Sequence, residues 1–143
     1  MAKRKPVSPE AAAKHEADVA LADRFDDLFA QAQEAEQTLR AAQANGASLE
    51  DLHRAGKRLD SALTDVMRAA FAAQRAEIGP LGYDDRIYRR KAMATSPVRA
   101  WTMEAERLLT LRESHRLTGI VRLPRQSEAA PGTAGSAAST INA

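Results

Sequence analysis

Cysteine is absent from the 143 residues. That excludes a disulfide framework, a thiolate nucleophile and a thiolate metal site. No apolar run approaches the roughly 18 residues of a membrane-spanning helix, so no membrane partner is expected. Residues 1–7 are basic, but no apolar signal core follows them. The expected location is therefore the cytoplasm, or a virion if the chain is viral. Bulky apolar side chains are scarce as well. The hydrophobic fraction is 44%, yet 31 of those residues are alanine. Leu, Ile, Val and Phe together make 25 of 143, below the roughly 20% typical of compact folds. The net charge of only +2 gives no electrostatic reason for wholesale disorder. Gly-rich phosphate loops, dinucleotide fingerprints and nucleophile elbows are all missing.

What remains is long, alanine-rich helix. Ser8 can cap a helix, and Pro9 suits its first position because its missing N–H would be unpaired there. No further proline occurs until Pro80. From Leu21 the apolar positions Phe25, Leu28, Ala32, Ala35, Leu39 and Ala42 follow with 4-3-4-3 spacing, a heptad seam. Asn45 and Gly46 tolerate the left-handed conformation that ends a helix. Ser48 with Asp51 forms a new start signal. A second seam then runs Leu52, Gly56, Leu59, Leu63, Val66, Ala70, Ala73 and stops at Gly79-Pro80. Two helices joined by a turn at 45–47 must run antiparallel. The spacing thus predicts a coiled-coil-like helical hairpin over 9–79. Phe29, Met67 and Phe71 widen its apolar stripe, which a third helix or another subunit is expected to cover.

After Pro80 the composition turns basic. A short helix is expected within 83–95, and Ser96-Pro97 starts another that runs to about His115 and ends by Gly119. Residues 9–79 carry 13 acids and 8 bases, whereas 81–125 carry 5 acids and 10 bases. The domain reading is a basic N-terminal arm (1–8), the hairpin (9–79), a basic helical region (80–117), and an extended segment with a low-complexity tail (118–143). The fold class is all-α.

Candidate chemistry is thin. His15, His53 and His115 share no metal-ligand spacing and are expected as exposed helix histidines. The acid pairs Glu34/Glu36 and Asp84/Asp85 are sequence neighbours, whereas catalytic carboxylates converge from separate elements. Asp84 and Asp85 more simply favour the positive end of the following helix. The expectation is no enzyme, no cofactor, no metal and no small-molecule substrate.

Interaction candidates are better supported. Leu21, Phe25, Leu28, Leu39, Leu52, Leu59, Leu63 and Val66 form the hairpin seam. Arg86, Arg89, Arg90 and Lys91 form a basic patch. It would either contact phosphates, with Tyr83 or Tyr88 stacking on a base, or pair with acids of the hairpin or a neighbour. Trp101 serves as core or as an interface anchor. Ile120, Val121 and Leu123 lie in a β-branched stretch that would add to a partner's sheet edge or pack irregularly on the helices. The expected role is a structural or adaptor subunit of a larger assembly, homo-oligomeric or with other assembly proteins. A small tailed-phage head or connector protein is its concrete form. Two alternatives stand beside it. One is a nucleic-acid-binding or packaging accessory protein that uses residues 86–91 and the N-terminal arm. The other is a helical secretion or folding chaperone with an exposed apolar stripe.

Overall fold

The computed structural model describes residues 6–118, and among them every regular element is helical: α1 (Pro9–Ala22), α2 (Phe25–Ala44), α3 (Leu49–Ile78), a 3-10 turn (Pro80–Tyr83), α4 (Arg86–Met93) and α5 (Ser96–Thr118). None of these helices is long and apolar enough to cross a membrane. The expected extended segment with Ile120, Val121 and Leu123, and the tail after it, lie outside the described residues, as do Lys3, Arg4 and Lys5 of the N-terminal arm.

Local chemistry sets the boundaries. The Ser8 hydroxyl accepts from the Ala11 amide at 3.1 Å and the Ser48 hydroxyl from the Asp51 amide at 3.1 Å. Each satisfies a first-turn N–H that has no helical partner. At the end of α2, Gly46 takes φ +65°. Its amide donates to the Gln43 carbonyl at 3.2 Å, and the Ala47 amide donates back to the Ala42 carbonyl at 3.0 Å. This is the double closure that a left-handed glycine makes possible. Gly79, at φ +99°, turns the chain out of α3 into Pro80.

One boundary differs from expectation. The helix expected to run unbroken from 9 to 44 is divided at Asp23 and Arg24. There the Arg24 amide donates to the Leu21 carbonyl at 3.1 Å, an i to i−3 bond, and Arg24 sits at φ −90°, ψ 0°. No proline, glycine or capping side chain marks the site. A tightened turn absorbs the change of direction instead.

α3, about 45 Å long at 1.5 Å per residue, is the central element. It packs against α1, α2 and α5. Its register with α5 is fixed by pairs whose numbers run oppositely. His115 reaches Gly56, Arg116 reaches Asp60, and Thr102 meets Gln74. α5 is therefore antiparallel to α3, and Asp18 to Arg75 with His15 to Ala76 sets α1 the same way. The core runs along α3 through Leu59, Leu63, Val66 and Met67. It is filled by Phe25, Leu28, Phe29 and Leu39 from α2 and by Ala105 and Leu108 from α5. The apolar stripe of the two seams is thus covered by the chain's own α5.

α1 is held differently. Only Ala11 of its residues is buried. Arg75 of α3 grips Asp18 with Nε at 2.9 Å and Nη2 at 3.0 Å, and the Tyr83 hydroxyl donates to the same carboxylate. Burial alone would push the Asp18 carboxyl up. The hydrogen bonds from Arg75 and Tyr83, with the Arg75 charge, outweigh it and hold the group below the ordinary carboxylate range.

Candidate functional site

The seam residues are engaged within the chain. Phe25, Leu28, Leu39, Leu59, Leu63 and Val66 are buried, and Leu21 and Leu52 are half-buried against the same core. Trp101 is half-buried too, edge-on to Phe25 with ring centroids 5.1 Å apart. That geometry suits an aromatic pair and gives Trp101 a place at the core's margin.

The charged segments separate into two kinds. On α5, Arg116 donates to both oxygens of Asp60 at 2.6 and 3.2 Å. Its guanidinium holds the Asp60 carboxyl below the usual range. Arg107 pairs with Glu104 at 2.5 Å, and Arg112 with Glu113 at 3.0 Å. On α4, by contrast, Arg86, Arg89, Arg90 and Lys91 are all exposed, and none makes an ion pair among the described residues. The expectation that this face pairs with acids of residues 9–79 is therefore not met within the chain.

α4 begins because Asp85 caps it. One carboxylate oxygen accepts from the Ile87 and Tyr88 amides at 3.0 Å each. Its cations act on its stability in both senses: Arg90 and Lys91 sit in the last turn, where the helix dipole favours positive charge. Arg86 and Arg90, four apart, repel each other, at a cost of roughly 0.2–0.5 kcal/mol for such a pair. Arg86 also sits at the positive end of the helix dipole. Ile87 is 70% exposed and Tyr88 41%, so an apolar and an aromatic side chain stand among the cations. A concavity of about 710 Å³ opens along this face, lined by Arg86, Ile87, Arg89, Arg90 and Met93 together with the carboxylates of Asp84 and Asp85. Tyr83, the other aromatic considered for base stacking, is committed to Asp18.

The fold also brings the N-terminal end of the described chain against the start of α4. The Ser8 amide donates to Asp84 Oδ2 and its hydroxyl to Asp84 Oδ1, both at 3.0 Å. Ser8 is thereby held against the turn that leads into α4. Seventy-six positions separate Ser8 from Asp84, so no local pattern announced this.

His115 departs from the expected exposed histidine. It is 6% exposed, and its Nε2 lies 2.9 Å from the Gly56 carbonyl. A carbonyl only accepts, so that nitrogen carries the proton. His15 is half-buried and makes the same kind of contact to the Ala76 carbonyl at 3.2 Å. Both act as ties between helices. Glu36 also departs from the expected solvent face: it is buried, with Arg40 on its carboxylate at 2.7 Å. A second concavity of about 990 Å³, beside Leu52, His53, Gly56 and His115, carries mixed charges. Neither of its histidines hydrogen-bonds a hydroxyl among the described residues. Those residues also hold no group of three side chains able to bind a metal ion. No protein-family model, no curated protein and no solved structure matches the chain.

Proposed function

We propose that this chain is a non-enzymatic structural or adaptor subunit of a larger protein assembly, and that α4 is the face it presents to its neighbour. One observation carries the reading: four exposed cations on an eight-residue helix, unpaired among the described residues. Such an arrangement suits an anionic surface on a partner. An acidic face on another assembly protein or on a second copy would supply it, since residues 9–79 carry five more acids than bases. The same reading takes α2 and α3 as a coiled-coil-like hairpin that gives the subunit its length. It takes residues 118–143 as an extended arm laid on a neighbour through Ile120, Val121 and Leu123. A small head or connector protein of a tailed phage is its concrete form, by analogy of shape alone. Light scattering at low and high salt tests the self-assembling form. The expected mass exceeds the 15.5 kDa of one chain at low salt and falls in high salt. It also falls when Arg86, Arg89, Arg90 and Lys91 are all replaced by Ala. A monodisperse monomer at every concentration and salt counts against it.

A second reading, nucleic-acid binding, is favoured by exposed Tyr88, an aromatic side chain that stands among the α4 cations. Its test is binding to generic DNA that weakens steeply with salt and disappears in the same fourfold variant. The chaperone reading loses its support, because α5 covers the stripe that a client would need.

A further inference from the structure

We propose that the junction of α1, α3 and α4 holds a small anion site that accepts a phosphate-class dianion. It shares Arg89 with the cationic face of α4 but does not depend on the assembly reading. A cavity of about 190 Å³ lies there, lined by Lys14 of α1, Arg75 and Ile78 of α3, Gly82 and Tyr83 of the 3-10 turn, and Arg89 of α4. That is well below the roughly 300–1,000 Å³ of pockets for drug-sized ligands. It is about the liquid volume of six waters at roughly 30 Å³ each, room for one phosphate group and little more.

Its charge is one-sided. Three cations line it from three different helices, and among the described residues the ion pair that any of them makes is that of Arg75, whose Nε and Nη2 go to Asp18. Nη1 of Arg75 is left without a carboxylate, and Lys14 and Arg89 make no ion pair among the described residues. Like charges gathered round a small concavity repel one another, and a dianion entering between them removes that repulsion while gaining charge-assisted hydrogen bonds. Arginine and lysine supply only donors, and the Tyr83 hydroxyl, held protonated by burial and by Asp18, adds no negative charge. The lining therefore selects an acceptor-rich anion.

The floor of the site depends on Gly82. A Cβ there would collide with Cγ2 of Ile78 and come within 3.9 Å of the Arg89 Cβ. Glycine thus lets the turn close onto the end of α3 beside Arg89 of α4.

Titration of the full chain with inorganic phosphate, followed by amide shifts at constant ionic strength, tests the site. We expect saturable one-site binding centred on the Gly82 and Tyr83 amides. Lys14→Ala and Arg89→Ala should each weaken it roughly tenfold or more, the scale of losing one charged hydrogen bond. Arg86→Ala and Arg90→Ala, outside the cavity, should change it less than about twofold on the same scale. A nucleoside monophosphate should compete with inorganic phosphate and the bare nucleoside should not. Competition by the nucleoside would overturn the assignment to phosphate. So would shifts that never saturate, spread over all of α4 and weaken equally in Arg86→Ala, since they describe a counterion atmosphere only. Lys14→Ala leaves every α4 cation in place. Loss of phosphate binding with salt-sensitive assembly retained therefore separates this site from the proposed assembly face.

Discussion

α4 and α5 are neighbours in sequence and both rich in arginine, yet the fold treats them oppositely. α5 buries Val98, Ala105 and Leu108, and it pairs Arg107, Arg112 and Arg116 with carboxylates. α4 buries no residue and pairs none of its four cations among the described residues. Arginine content therefore does not decide whether a basic helix is structural. What differs is that apolar positions at helical spacing carry α5 onto α3, where Arg116 finds Asp60, while Arg107 and Arg112 pair within α5 itself. Arg116 meets Asp60 because Leu108 and His115 have already fixed α5 along α3.

The sharpest break of this comparison is at Leu108, which is fully buried between α3 and α5. Leu108→Ala should cost about 2–5 kcal/mol, the transfer and cavity loss of a buried leucine, read as a fall in thermal or denaturant midpoint. A cost below about 1 kcal/mol, the scale of ordinary surface changes, would mean that α5 is not a core element.

The next largest effect lies in the polar tie that stands in for apolar burial on α1. Asp18→Asn keeps the shape but removes the charge that Arg75 and Tyr83 bind. It should cost about 1–3 kcal/mol at neutral pH, typical of a charged hydrogen-bond partner lost from a partly buried site. The pH dependence follows in sign. The folded carboxyl is held below its unfolded value of 3.8, so its contribution is complete above that value and disappears as pH falls through the folded value. The gap in stability between the native chain and Asp18→Asn should therefore narrow as pH drops below about 4, near the unfolded carboxylate value. A gap independent of pH would remove Asp18 as the anchor of α1.

Much of this architecture was legible in advance because its signals are local. Ser8, Ser48 and Ser96-Pro97 mark helix starts, Gly46 and Gly79 mark ends, and the 4-3 spacing from Phe25 to Leu39 and from Leu59 to Val66 marks buried faces. The break at Asp23 and Arg24 was not legible, because no capping or breaking residue produces it. The roles of His115, Glu36, Asp18 and Arg75 were hidden for another reason. Each depends on a partner brought close by packing or on the rotation of its helix, and neither is written in neighbouring residues. The cations of α4 could be found by composition alone. That they stand unpaired among the described residues needed the packed structure.

A smaller effect, of opposite sign, is expected where α5 lands on α3. Gly56 lies inside a long helix, and a Cβ there would meet nothing within 4 Å. Its contribution to the tie is its carbonyl, which accepts from His115 whatever side chain the residue carries. Gly56→Ala should therefore stabilise by roughly 0.5–1 kcal/mol, the backbone entropy that glycine gives up in a helix interior. A destabilised Gly56→Ala would show that α5 needs the open space over Gly56 as well as its carbonyl.

The smallest effect is expected on α4, and it is the one on which the contrast finally turns. Ile87 is a large apolar side chain at the start of a helix, the kind of residue that on α5 would be driven into the core. Here it is 70% exposed and belongs to no core cluster. Ile87→Ala should change stability by no more than about 0.5 kcal/mol, as for a surface position with no special role. It should also leave the circular dichroism of the chain unaltered. Tyr88→Ala gives the same test one residue on, with an aromatic ring that is only partly covered. If either substitution lowered the unfolding midpoint as far as a core truncation does, α4 would be a structural helix like α5, and its unpaired cations would lose their claim to a partner outside the chain. If both are silent in stability yet weaken salt-sensitive assembly, the exposed apolar and aromatic groups belong to the same contact surface as the arginines around them.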